Sequence, residues 1–375
     1  MKIGTHDGVF HCDEVLACCM LKLLPNFKDA EIVRTRDMEK LNTCDIVVDV
    51  GAVFDHDKQR YDHHQREFNE TLSTVRPELG DKYKINCSQS TYDGHMLRHD
   101  RYDLLQLILM VKVAGKRSLV RRKKSWLRNI RELSSAGLVY AFYGEKVIRT
   151  LQPKDAPLSD DNLKVIFRKV YENLIEEIDG IDNGVPMTVE EPKYKILTHL
   201  SVRVGRLNPE WNSKQTVDMN EVFKEAMNMV REEFTFMVNY SISVWLPARD
   251  YVKSALESRF EVHKSGEILE FKERFPWKEH LFDLETEMGL EHQTKYVIFN
   301  DKPNSWRVQA VSVDPLSFLL RKPLHKDWWG VRDEILSEVS GIDGCIFCHS
   351  TGFIGGNVSR DGALKMAIAS LEANE

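Results

Sequence analysis

Long apolar runs are missing from this chain: the block LLQLILMV at 104–111 falls far short of the ~20 residues that a membrane-spanning helix needs. Basic charge is not in excess either. With 52 Lys and Arg against 58 Asp and Glu, the formal net charge is −6, which excludes a generally basic coat for nucleic acid. Any such contact has to come from a local patch or through metal ions. Cysteine is scarce and irregular: seven residues, at 12, 18, 19, 44, 87, 345 and 348, are an odd set without the spacing of a disulfide framework. Free thiols in a reducing compartment are the simplest expectation, with Cys18 and Cys19 buried in an apolar helical run. The CIFCH stretch at 345–349 fits the C-x-x-C-H pattern of haem attachment. The match is short, however, and sits in a strand-like segment, so no haem is expected. The opening MKIGTHDGVFHCDE reaches candidate site residues at once, which leaves no room for a presequence and points to a nuclear or cytoplasmic place for this form. There is no internal repeat or low-complexity tract.

What is present suffices for large cores: 42% hydrophobic residues over 375 positions, or about two domains. The first third alternates strand and helix patterns: MKIGT, then a helix over 13–24, a strand over 30–35, a short helix DMEKL, and the nearly continuous apolar strand DIVVDVGA at 45–52. Helices follow over 134–151 and 161–184, the second stopped by Gly184. This order predicts an α/β domain with a doubly wound, mostly parallel sheet. The second half reads differently. A long helical region over 220–258, interrupted at Pro247, precedes strands at 267–271, 294–301 and 305–313. A helix, the CIFCH strand and a last helix over 360–373 complete an α+β domain. We place the domains at 1–190 and 191–375. Residues 77–132 fit neither grammar. Their run VKVAGKRSLVRRKKSWLRNIR (111–131) carries nine Lys and Arg and no acid; it reads equally as a nucleic-acid or nuclear-localisation patch and as a solvated insertion.

The chemistry gathers in the first domain. His6, His11 and Asp13 follow the first strand, Asp49 ends the central one, Asp62, His63 and His64 come next, and Asp179 and Asp182 close a long helix. Ligands of open α/β sheets collect beyond the carboxyl ends of the strands, where buried carboxylates are costly unless paired or bound to a cation. Taken singly, such residues are more often caps or satisfied loop side chains; taken together they predict a metal site. Mixed Asp and His ligands suit Mn²⁺, with Mg²⁺ or Zn²⁺ as alternatives. Two cations about 3.5–4 Å apart, bridged by a carboxylate, are what an in-line displacement at phosphorus needs. Asp49 is the natural bridge.

The segments THDGVFHCDE, DIVVDVGAVFDHDKQRYDHHQREFNE, LSSAGLVYAFYG and IEEIDGIDNG resemble the melanocyte-proliferating-gene-one exonuclease family, a relative of the DHH phosphoesterases. So do LSVRVGRLNPEWN, SVWLPARDYV, FPWKEHLFDLE, WRVQAV and SGIDGCIFCHSTGFIGG, so the resemblance spans nearly the whole chain apart from about 77–132. It implies a 3′–5′ exonuclease processing RNA, in nucleus and mitochondrion, with two divalent metal ions. By that resemblance His6, His11 and Asp13 stand at the first metal motif, with His11 in place of an expected acid. Asp49 stands at the second, and His63 is a ligand of the third. Asp62 supports its neighbours and His64 faces the scissile phosphate. Asp182 matches the fourth motif better than Asp179. TGFIGGN, with Gly355 and Gly356, resembles a glycine-rich substrate motif, although a plain tight turn reads as well. His349, Arg249 and Lys278 are candidates for holding a nucleic-acid backbone. The rival readings are a hydrolase of a small phosphate ester or short oligonucleotide, and a silent RNA-binding scaffold. The oligomeric state is left open, and no membrane partner is expected.

Overall fold

The first sheet grows from strand β1 (Lys2–Thr5) through helix α1 (Cys12–Leu23), strand β2 (Glu31–Arg34), the short helix α2 (Met38–Leu41) and strand β3 (Ile46–Val48). The computed structural model describes residues 1–79, 132–188, 192–214 and 216–373; Cys87 and the basic run at 111–131 lie outside the described residues. β1 pairs in parallel with both β2 and β3, so the direction of winding reverses between β1 and β3. All three residues of β3 are buried. Val47 packs with Leu41 and Cys44, while Ile46 and Val48 alternate to the other face, and burial on both faces is what favours a continuous apolar run.

Two strands of two residues each, β4 (Phe54–Asp55) and β5 (Arg60–Tyr61), complete the order β2-β1-β3-β5-β4. β5 runs parallel to β3 and β4 antiparallel to β5. The sequence gives no period for elements this short. Their anchor is Tyr61, fully buried, with its ring among Phe54, Phe142 and Tyr143.

α1 is buried nearly all round, as its unbroken apolar run demands, and packs on α3 (Ser135–Leu151). Ser134 caps α3, its side chain accepting from the Gly137 N–H. The single helix expected over 161–184 is three pieces: α4 (Asp160–Val170), a π turn over Tyr171–Ile175, and α5 (Glu176–Asp182). Gly184, at φ +67°, ends it. Helices α6 (Leu200–Gly205) and α7 (Met219–Tyr240) follow and both pack on α1.

Contacts divide the chain into two compact units, Met1–Ser241 and Ile242–Glu375. The boundary expected at 190/191 differs from this division because α6 and α7 belong by packing to the first unit: Phe223 of α7 meets the Phe10 ring edge-on at 5.6 Å, and the Asn208 side chain bonds the Phe10 backbone.

A π turn over Ser241–Trp245 spans the division, and α8 (Leu246–Glu257) is the first helix of the second unit. Pro247 follows the π turn, which divides the helical run expected over 220–258 close to that proline. Strands β6 (Ile268–Phe271), β7 (Tyr296–Lys302), β8 (Ser305–Ala310), β9 (Cys345–Cys348) and β10 (Ile354–Asn357) form a second sheet in the order β6-β7-β8-β10-β9. Helix α9 (Lys278–Met288) follows β6, α10 (Asp333–Ser340) precedes β9, and α11 (Arg360–Glu372) ends the described chain. Along β7 the side chains alternate: Val297 and Phe299 join Leu281, Leu284 and Leu256, whereas Tyr296 and Ile298 join Leu336, Ala363 and Met366. Both faces are therefore covered by helices. Both sheets are mixed, and the whole is α/β. Gly355 and Gly356 lie in the interior strand β10, not in a turn, and Cys345 and Cys348 are buried free thiols on β9. Among the described residues no helix is long and apolar enough to cross a membrane.

Candidate metal centre

The carboxyl ends of β1, β3 and β5 lie side by side, and each releases a polar side chain there. His6 leaves β1, Asp49 leaves β3, and Asp62, His63 and His64 leave β5. Asp49 turns out of its strand at φ +56°, a left-handed conformation that Asp tolerates better than most residues. The register that pairs Val48 with Tyr61 sets Asp49 beside Asp62, and the Asp49 N–H donates to the Tyr61 carbonyl.

Distances then define the cluster. His6 Nε2 lies 3.0 Å from Glu14 Oε1 and 3.3 Å from Asp49 Oδ2. His63 Nε2 lies 3.0 Å from Asp182 Oδ2 and 3.5 Å from Asp49 Oδ1. His64 Nδ1 lies 2.7 Å from Asp62 Oδ1 and 3.4 Å from Asp49 Oδ1. Three sets bring potential ligand atoms within 4.8 Å of one another: Asp49, His63 and His64; His6, Glu14 and Asp49; and His11, Asp13 and Asp182. Asp49 is in two of them. It also accepts from Ser135 Oγ at the start of α3.

These contacts move the protonation equilibria. Burial pulls the His63 pKa down, but Asp182 and Asp49 outweigh it and hold the value at about 10. Burial likewise opposes the rise at His6, where Asp49 and Glu14 carry it to about 9. Burial would raise Asp49, yet His6, His63 and His64 keep its carboxyl well below the usual range. Asp13 has no such help. It is fully buried, burial and the neighbouring Asp49, Asp182 and Glu14 push its pKa far up, and neither of its oxygens has a hydrogen-bond partner. His63 Nε2, for all its proximity to two acids, makes no hydrogen bond to either. Acids and imidazoles thus pair with one another while their potential ligand atoms also crowd common points. Orphaned buried carboxylate oxygens among imidazoles are the donor set of a divalent cation, and the residues fit one.

Asp62 is a support. One oxygen accepts the Ala52 N–H at 2.6 Å and the other takes the His64 N–H and ring Nδ1. Its pKa falls because these bonds outweigh burial. The His64 side chain is 59% exposed, and its pKa is raised chiefly by Asp62.

Of the two acids at the end of α5, Asp182 enters the cluster. Asp179 instead accepts from Ser134 N–H, Ser134 Oγ and Tyr171 O–H, and a Cβ on Gly137 would sit 2.4 Å from its Oδ1, so the glycine is what admits it. Glu14 was not among the sequence candidates. It accepts the His11 N–H three residues back, and in sequence this spacing reads as an ordinary capping box, which hides its reach to His6.

The second-unit candidates do not converge in this way. Arg249 pairs with Glu287 through both carboxylate oxygens. Lys278 opens α9 half-buried, its pKa lowered by burial. His349 follows β9, exposed, its Nδ1 near Thr351 Oγ1 and its ring edge-on to Phe353. Gly355 and Gly356 lend their backbones to the sheet; a Cβ on Gly356 would lie 2.7 Å from Arg307 Nη1 and 3.1 Å from the Phe347 ring. Among the described residues no hydrogen bond or ion pair links Arg249, Lys278 and His349 to one another.

Comparison with known proteins agrees with the sequence motifs. The family model MYG1_exonuc, described as an uncharacterised protein family (UPF0160), matches residues 2–92 and 118–371, so the unmatched stretch is narrower than the 77–132 expected. Over 372 residues the chain is 44% identical to "MYG1 exonuclease" of Homo sapiens, covering 99% of this chain and 85% of that protein. The identity to "MYG1 exonuclease" of Bos taurus is 44%, covering 99% and 84%. "MYG1 protein" of Dictyostelium discoideum is 39% identical, with 99% and 96% covered. With the motifs, the described site and these relatives in agreement over nearly its full length, the chain belongs to the MYG1 exonuclease family.

Proposed function

We propose that this protein is a metal-dependent 3′–5′ exoribonuclease acting on single-stranded RNA, with its chemistry at the carboxyl ends of β1, β3 and β5 on a doubly wound, DHH-like domain. The observation that carries the reading is the convergence of the 6–14 and 63–64 segments on Asp49, with Asp182 3.0 Å from His63 and both Asp13 oxygens buried without a hydrogen bond. The names of the relatives supply the nuclease class. Two divalent ions, Mn²⁺ by choice of ligand, would supply Lewis acidity to the attacking water and to the leaving oxygen. Asp49 would bridge them, flanked by His6 and Glu14 on one side and by His63 and Asp182 on the other, with His11 and Asp13 completing the set. His64, clamped by Asp62 at Nδ1, would offer its Nε2–H to a phosphoryl oxygen, and the carboxylate behind it would strengthen that donor. The second unit would hold the strand, His349 being its most accessible polar side chain among those considered.

The test is to incubate the protein with Mn²⁺ and 5′-end-labelled single-stranded RNA. A ladder shortening one nucleotide at a time is expected, with duplex cut slowly and closed circles left intact. Asp49→Asn keeps the shape but cannot bridge two cations as a carboxylate does, so its turnover should vanish. Cleavage of circles, or a tenth of normal turnover in that variant, would overturn the reading. Hydrolysis of pyrophosphate or a dinucleotide with RNA untouched would favour a small-ester hydrolase instead.

A further inference from the structure

The LSVRVGRLNPEWN segment and the residue before it place two polar groups beside the metal centre that the centre does not use. A cavity of about 270 Å³ has His11, Asp13 and Asp182 in its own wall, all within the first unit. Its walls are apolar where Ile178, Ile181 and Val202 face it, and polar where His199 and Ser201 do. His199 begins α6 without capping it. Its Nδ1 is buried and has no hydrogen-bond partner, and neither has Ser201 Oγ; the hydroxyl's neighbour is the Cys12 thiol, a weak donor and acceptor.

Folded chains keep nearly all buried polar groups paired. Two unpaired ones on one cavity, against side chains suited to a cation, call for a ligand that brings its own donors and acceptors. The volume is at the low end for small-molecule sites, which fits one nucleoside rather than a dinucleotide. The apolar side suits a base. The polar side offers an imidazole nitrogen, donor or acceptor according to tautomer, and a hydroxyl two residues away, a pair matched to one sugar hydroxyl that both donates and accepts.

We propose that this cavity receives the 3′-terminal nucleoside of the RNA strand, with its base against Ile178, Ile181 and Val202 and its ribose 2′-hydroxyl held by both His199 and Ser201. This rests on the exoribonuclease reading above and adds to it the source of the preference for RNA, because the 2′-hydroxyl is what separates ribose from deoxyribose at a given site. His199 and Ser201 are then substrate-binding residues that set sugar specificity without holding metal.

The experiment compares a short 5′-labelled RNA with the same RNA carrying one 2′-deoxynucleotide at its 3′ end, in the first round of cleavage with Mn²⁺. The all-ribose strand should react roughly tenfold faster in kcat/KM, the worth of about one neutral hydrogen bond. His199→Ala and Ser201→Ala should bring that ratio near one, chiefly through KM on the ribose substrate, with the deoxy-ended rate and the manganese content unchanged. His199→Gln, which keeps a hydrogen-bonding group, should restore part of the ratio and guards against a folding defect. An unchanged ratio, or equal losses on both substrates, overturns the proposal. If the wild-type protein cuts no RNA, the exoribonuclease reading fails, and calorimetric binding of adenosine 5′-monophosphate against its 2′-deoxy analogue decides the cavity. Tighter binding of the ribonucleotide that His199→Ala abolishes would support the site; equal affinities would remove it.

Discussion

Asp62 fixes what His64 can do. With Nδ1 tied to that carboxylate at 2.7 Å, the ring presents Nε2 outward, while its neighbour His63 is buried with Nε2 among Asp49 and Asp182. The two imidazoles should therefore part ways on substitution. His63→Ala should lower the manganese content measured by elemental analysis, and His64→Ala should lower turnover with metal retained. Equal metal loss in both would contradict the division. Asp179 gives a second test. Burial raises its pKa to about 7 although Ser134 and Tyr171 pull it down. A carboxyl raised above its unfolded value near 3.9 favours the protonated fold, so stability falls as pH rises from about 4 to 7 and the deficit is complete above that. Asp179→Asn removes the charge and keeps an oxygen facing Ser134. Its melting temperature at pH 8 should equal or exceed that of the natural chain, with metal content unchanged, whereas Asp182→Asn should lose metal. A metal-poor Asp179→Asn would make Asp179 a ligand. At this scale the sequence was informative where acids and imidazoles cluster after strands, as at 62–64, and uninformative where a ligand candidate also serves as a cap, as at Glu14.

Elements long enough to show a period were readable: α1, α3, α11 and the strands β6 to β9 of the second sheet lie where their apolar spacing puts them. β4 and β5 were not, because two residues carry no alternation, and what holds them is the burial of Tyr61 between sheet and α3. The interruption expected at Pro247 is present as the π turn over Ser241–Trp245 just before it. The TGFIGGN stretch is the most instructive case. Glycines between a strand and a helix suggest a turn that offers N–H groups, yet β10 runs through the sheet interior with partners on both sides. A side chain at Gly356 would collide with Arg307 and Phe347. Gly356→Val should therefore destabilise the second unit, by about 1–3 kcal/mol as overpacked positions do, rather than weaken a phosphate contact alone. Differential scanning calorimetry checks this: a melting profile like the natural chain's would return the glycine to the surface role suggested by its sequence.

For the whole molecule, α/β class and family were legible from motifs spread over both halves, but the division into units was not. The sequence of α7 shows an amphipathic helix without showing which sheet it serves, and only the packing of Phe223 on Phe10 assigns it to the first. The formal charge of −6 puts the burden of attracting a polyanion on local cations and on the metal site, so the account stands or falls on that site. Crystals soaked in Mn²⁺ and measured at the manganese absorption edge test it most directly. Two anomalous peaks are predicted, both within ligand distance of Asp49, one toward His6 and the other toward His63, and both absent in Asp49→Asn. A single peak away from Asp49, or none at all, would contradict the two-metal centre.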